Sequence, residues 1–125
     1  MTYVSAALLT LPDGRFVMQR RGSNVAFAPL KLGFFGAKVE AGETPEAAVL
    51  RALKEKTTMD VAGLVPELVH EIDIAHEDVH MLVFKIPVPN ADFLATSGRA
   101  QVHTLHDLRS RIDLTPSLQQ LVAVL

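Results

Sequence analysis

One stretch of this chain constrains its fold more than any other. Residues 36–59 read GAKVEAGETPEAAVLRALKEKTTM, a glycine-bearing loop that feeds a helix. Thr44 is an N-cap residue, Pro45 suits the first helical position, and Glu46 complements the helix dipole in the first turn. The spacing predicts a helix from there to about Thr57. Within it, Ala52 is the best helix former, and Lys56 near the C-terminus complements the dipole.

The flanking segments supply a sheet for that helix to cover. Tyr3 to Leu11 is apolar with short and β-branched residues, and Pro12-Asp13-Gly14 is a turn signal, so Arg15 to Arg21 is expected to return as a hairpin partner. Gly22 to Pro29 reads as a loop, and Lys31 to Phe35 as a short strand entering the Gly36 loop. Leu64 to Ile74 and Val79 to Ile86 read as strands around a polar turn at His76-Glu77-Asp78. Pro87 to Gly98 is irregular, Gln101 to Thr104 a short strand, and Leu105 to Arg111 and Pro116 to Leu125 helices. The order β-β-β-α-β-β-(β)-α describes a mixed α/β layered domain.

Composition sets the outer limits. With 125 residues and 49% hydrophobic content, the chain suits one compact domain spanning 1–125. No apolar run approaches the ~20 residues of a membrane span, and the first residues lack a basic region of the signal-peptide kind. The absence of cysteine rules out disulfides, thiolate metal sites and a cysteine nucleophile, and fits a cytoplasmic protein. A net charge of −2 argues against a nucleic-acid partner.

The stretch 36–59 resembles a Nudix box, G-x(5)-E-x(7)-R-E-U-x-E-E-x-G-U with U a bulky aliphatic residue. Glu43, Arg51, Leu53, Glu55 and Met59 fall on pattern positions, whereas Ala37, Ala52, Lys56 and Thr58 stand where the pattern has Gly, Glu, Glu and Gly. Phe34-Phe35-Gly36, Gly42-Glu43-Thr44-Pro45 and the upstream Gly14 to Arg21 resemble the family as well. The resemblance implies a Nudix-type α/β/α sandwich, with a mixed sheet between helices. It also implies a box that holds Mg²⁺ or Mn²⁺ against a diphosphate, where metal neutralises charge and activates water.

The family's helix carboxylates lie at i, i+3 and i+4, one helix face, occupied here by Ala52, Glu55 and Lys56. Their charges sum to zero. At ~4 Å and an effective dielectric of ~20, two unit charges interact by about 4 kcal/mol, so a divalent ion beside Lys56 meets up to about twice that as repulsion. The segment Gly98 to Gln101, where some members keep a catalytic base, has no carboxylate.

Three readings follow from the resemblance. In the first, the chain is impaired or inactive as a hydrolase and binds a nucleotide, a diphosphate or a protein. Its ligand contacts are then Arg20, Lys38, Arg51 and Lys56, with Lys56 standing where metal stood. In the second, it is an active Mg- or Mn-dependent hydrolase of a nucleoside diphosphate linked to another group. Glu40, Glu43 and Glu55 then serve as metal ligands, and Glu43 and Glu55 are the catalytic candidates. In the third, it is a structural or oligomer-forming domain. Leu118, Leu121, Val122 and Leu125 are core or a homodimer interface. Arg20 and Arg21 close a strand, so alternation lets at most one face a cleft. His76, Asp78 and His80 read as a polar hairpin tip rather than a metal site. Tyr3, Phe16, Phe27, Phe34, Phe35, Phe84 and Phe93 read mostly as core. Thr58, β-branched where glycine would end the helix, predicts a remodelled helix exit.

Overall fold

The computed structural model describes residues 1–25 and 28–125. Phe27 and part of the expected loop at 22–29 therefore lie outside the described residues. The elements, in order, are β1 (Thr2–Thr10), β2 (Phe16–Arg20), β3 (Leu32–Gly33), β4 (Phe35–Lys38), α1 (Pro45–Lys56), β5 (Glu67–Ile74), β6 (Val79–Pro87), β7 (Arg99–His103), α2 (Leu105–Ser110) and α3 (Pro116–Val122).

β1 is the centre of the mixed sheet. It runs parallel to β6 along its whole length, from Thr2 opposite Val79 to Thr10 opposite Pro87. Its other edge is shared: β4 pairs with Val4 to Ala7, and β2 with Leu9 and Thr10, both antiparallel. β2 also pairs with β3 and β7, while β5 closes the far side against β6.

A strand covered on both faces is apolar at successive positions, and Ala6 to Leu9 are all buried. Their alternation feeds two cores. Ala6 and Leu8 join Met18, Leu32, Ile72 and Val83 beneath Leu108 of α2 and Leu118, Leu121 and Val122 of α3. Ala7 and Leu9 join Val17, Phe35, Phe84 and Ile86 beneath Val49 and Leu53 of α1. This is an α/β/α sandwich with the sheet between helix layers. Leu118, Leu121 and Val122 are core residues, and only Leu125 of that set is exposed.

Several expectations are corrected. The single strand over Lys31–Phe35 is two strands, and β4 continues into the glycine loop. Gly36 permits this, because a Cβ there would lie 2.6 Å from the Ser5 carbonyl oxygen of β1. β5 starts at Glu67 rather than Leu64, because Val61 to Leu64 close a turn and Pro66 precedes the strand. His76 lies in a single 3-10 turn, Ala75–Glu77, that ends on left-handed Asp78, so His76, Asp78 and His80 do not lie along one extended face. His80 is instead clamped between Asp73 and Glu71 at 2.5 and 2.6 Å. Tyr3, expected in the core, is half exposed and meets the His80 ring edge-on.

Candidate functional site

The loop before α1 and the helix are bound together by Arg51. The Thr44 hydroxyl accepts from the Ala47 amide and sets the helix start. About two turns later, Arg51 is only partly exposed and reaches back over the loop. Its Nε donates to Glu43 Oε2 at 2.8 Å, and one terminal nitrogen donates to Glu43 Oε1 at 3.1 Å and to the Lys38 carbonyl at 2.8 Å. The other donates to Glu55 at 3.2 Å. Glu43 also accepts the Glu40 amide at 3.0 Å, and the Glu40 carboxylate lies 3.6 Å from the guanidinium. These contacts hold the Glu43 carboxyl below its ordinary pKa, first through the Arg51 hydrogen bonds and then through the Glu40 amide. Arg51 is correspondingly raised by Glu43 and then Glu55. Lys38 contributes its carbonyl here, and the residue is exposed.

On the adjoining face, Ala52 is fully buried and Lys56 half-buried. The Lys56 ammonium donates to the Gly36 carbonyl of β4. Burial lowers the Lys56 pKa most, the nearby Arg21 charge lowers it further, and Glu55 opposes both. A divalent ion of the Mg²⁺ or Mn²⁺ kind takes several oxygen ligands. Here Ala52 offers none, Glu43 is committed to Arg51 through both oxygens, and Glu55 gives one oxygen to the same guanidinium. An ammonium sits on the carbonyl that remains. Among the described residues, no three His, Asp or Glu side chains form a set that could hold a metal ion. The residues present do not fit that ion in the box.

The exit from α1 is remodelled as Thr58 predicted. The helix ends on Thr57 in extended conformation, with its hydroxyl donating to the Leu53 carbonyl at 2.6 Å. The chain then bonds to an irregular segment: Thr58 N to Leu94 O, Leu94 N to Thr58 Oγ1, and Thr96 N to Lys56 O, each 2.8–2.9 Å. No left-handed residue is needed.

Lys56 also forms part of a cleft of about 230 Å³ that lies over β1, β4 and β6 and beside the start of α3. Arg21 lines it, as does Gln19 of β2. Arg20, the strand-end arginine favoured from the sequence, is engaged elsewhere. It donates to Asp113 at 2.6 Å, to the Leu30 carbonyl and to Gln101, because alternation turns it toward the loop between α2 and α3. The sequence signal that separates the two arginines is parity with Gln19, which points Arg21 and not Arg20 toward the cleft.

A loop bound by arginine to one helix, laid across a mixed sheet between helix layers, defines an α/β/α domain with its cleft at the end of that helix. The chain belongs to the Nudix family, whose NUDIX domain matches residues 2–124. No curated protein matches it. Solved structures share the fold. The DR0079 protein of Deinococcus radiodurans superposes with a TM-score of 0.84 at 21% identity, covering 98% of this chain and 82% of that one. A MutT protein from Methanosarcina mazei gives 0.80 at 20% identity, covering 98% and 91%. The dihydroneopterin triphosphate pyrophosphohydrolase of E. coli gives 0.75 at 18%, covering 98% and 92%.

Proposed function

We propose that this chain uses the Nudix fold to bind a phosphate-bearing ligand without metal-dependent hydrolysis. The observation that carries the reading is the Lys56 ammonium. It is half-buried at the cleft, bonded to the Gly36 carbonyl, and destabilised by the charge of Arg21. A phosphate beside Lys56 gains charge-assisted hydrogen bonds and offsets the burial of the ammonium, with the Arg21 charge lining the same cleft. Lys56 then supplies as a fixed side chain the positive charge that metal supplies elsewhere in the family.

A second reading, metal-dependent cleavage of a nucleoside diphosphate derivative, is favoured by the carboxylates of Glu40, Glu43 and Glu55 gathered around Arg51. It requires Arg51 to release Glu43 or Glu55 to the metal. The two readings separate in one set of measurements. The wild-type protein is expected to bind inorganic pyrophosphate by calorimetry without added metal, and Lys56→Gln to weaken that binding about tenfold or more. Hydrolysis of nucleoside di- and triphosphates, ADP-ribose and dinucleotide polyphosphates with Mg²⁺ or Mn²⁺ is expected to stay at background. Appreciable turnover that disappears in Glu55→Ala would reject the first reading. In the double variant Ala52→Glu, Lys56→Glu, Mg²⁺ is expected to raise the melting temperature, because metal binds the native state alone, whereas the wild type gains nothing from it.

A further inference from the structure

We infer that the ligand of this cleft is a small amphiphilic phosphate, one anionic head on a short aliphatic or ring body, rather than a nucleotide. The inference rests on the phosphate reading of Lys56 and adds the chemistry of the rest of the ligand. The two ends of the cleft differ in charge. Lys56 and Arg21 stand at one end, beside Gly36, which pairs with Ala6 of β1. Glu77 stands at the other end, in the turn whose next residue, Asp78, accepts the Thr2 amide through its carbonyl. The four steps of β1 from Ala6 to Thr2 separate those levels by roughly 13 Å.

Between the charged ends, the wall is aliphatic with one ring: Val4, Ala6, Phe34, Ile74, Val79 and Met81. Polar side chains along it already hold protein partners. The Gln19 amide nitrogen donates to the Ser97 carbonyl at 2.9 Å. The Thr115 hydroxyl accepts the Leu118 amide at the start of α3 and meets the Ser117 hydroxyl. A nucleobase carries several donors and acceptors on its edge, and burying them against such a wall leaves them unpaired at a cost. An alkyl or prenyl body has none to satisfy. Size points the same way, since about 230 Å³ lies below the roughly 300–1,000 Å³ usual for drug-sized ligands. Glu77 disfavours a second anionic group at the far end, which selects a ligand with one charged head.

The test is a homologous series, ethyl, butyl and hexyl phosphate, titrated calorimetrically alongside inorganic phosphate, pyrophosphate and ADP. Each buried methylene is expected to tighten binding about fourfold, so hexyl phosphate should bind more than tenfold tighter than butyl phosphate and tighter than ADP. Val79→Thr, close to isosteric, should reduce the gain per methylene. A flat series with pyrophosphate binding retained, or ADP binding tighter than hexyl phosphate, overturns this inference and leaves the phosphate reading of Lys56 standing. Failure of pyrophosphate and every alkyl phosphate to bind overturns both.

Discussion

Gly36 and Lys56 act as a pair although twenty residues separate them. Gly36 lets β4 lie against β1, and its carbonyl then receives the Lys56 ammonium. Adding one methyl group at Gly36 places a carbon 2.6 Å from the Ser5 carbonyl, a backbone atom that cannot swing aside. Gly36→Ala is therefore expected to destabilise the fold by about 1–3 kcal/mol in urea unfolding, the range for forced overpacking. It should also weaken pyrophosphate binding, because β4 must move and carries the carbonyl that orients Lys56. Unchanged stability would mean that β4 does not approach β1 this closely in solution. At Ala52 the reasoning is simpler. A fully buried methyl group stands at the position of a family carboxylate, and nothing at that position can ligate a cation.

The start of α1 was legible in the sequence because its signals are local: the Thr44 hydroxyl, the Pro45 ring and the Glu46 charge all act within one turn. The place of Arg51 followed from the family resemblance, and the structure adds that it binds the loop through Glu43 and the Lys38 carbonyl. β4 was not legible. Its four residues include Gly36 and Ala37, and it is a strand only because β1, some thirty residues earlier, accepts it. Parity with Gln19 separates Arg20 from Arg21 only once Gln19 is known to line the cleft, and that comes with the fold, as does the Asp113 partner of Arg20. The helix exit lies between these cases: Thr58 announced a change, and the partners at Leu94 and Thr96 came only with the fold. Thr57 carries that exit. Its buried hydroxyl donates to Leu53 O and accepts from Met59 N at 3.1 Å. Thr57→Val keeps the shape and removes both bonds, and is expected to cost about 1–3 kcal/mol by urea unfolding, since it leaves a buried carbonyl and an amide without that partner. A change within about 0.5 kcal/mol would show that the stitching to 94–96 holds the exit alone.

Across the whole molecule, charge pairs join strands, loops and helices, and their titration gives stability two opposing limbs. Asp113, between α2 and α3, accepts from two of the Arg111 nitrogens at 2.9 Å and from Arg20 of β2 at 2.6 Å. The Arg111 hydrogen bond, and then Arg20, hold its carboxyl far below the ordinary range. A carboxyl depressed in the folded state stabilises it fully above the unfolded pKa of about 3.9, and that contribution is lost as pH falls further. Glu43 adds to the same acid limb through Arg51. His80 acts in the opposite direction. Asp73 and then Glu71 raise its pKa, so its contribution is complete below about 6.5 and is lost as pH rises through the folded value. The melting temperature is therefore expected to fall steeply below pH 4 and to decline gently above pH 7. Asp113→Asn removes the ionisable group and should lower the melting temperature at pH 6 by several degrees while flattening the acid limb. The alkaline limb should remain in that variant and vanish in His80→Gln. Thermal melts from pH 3 to 9 on the three proteins measure both limbs. An acid limb equally steep in Asp113→Asn would remove Asp113 as the clamp between β2 and the helix layer.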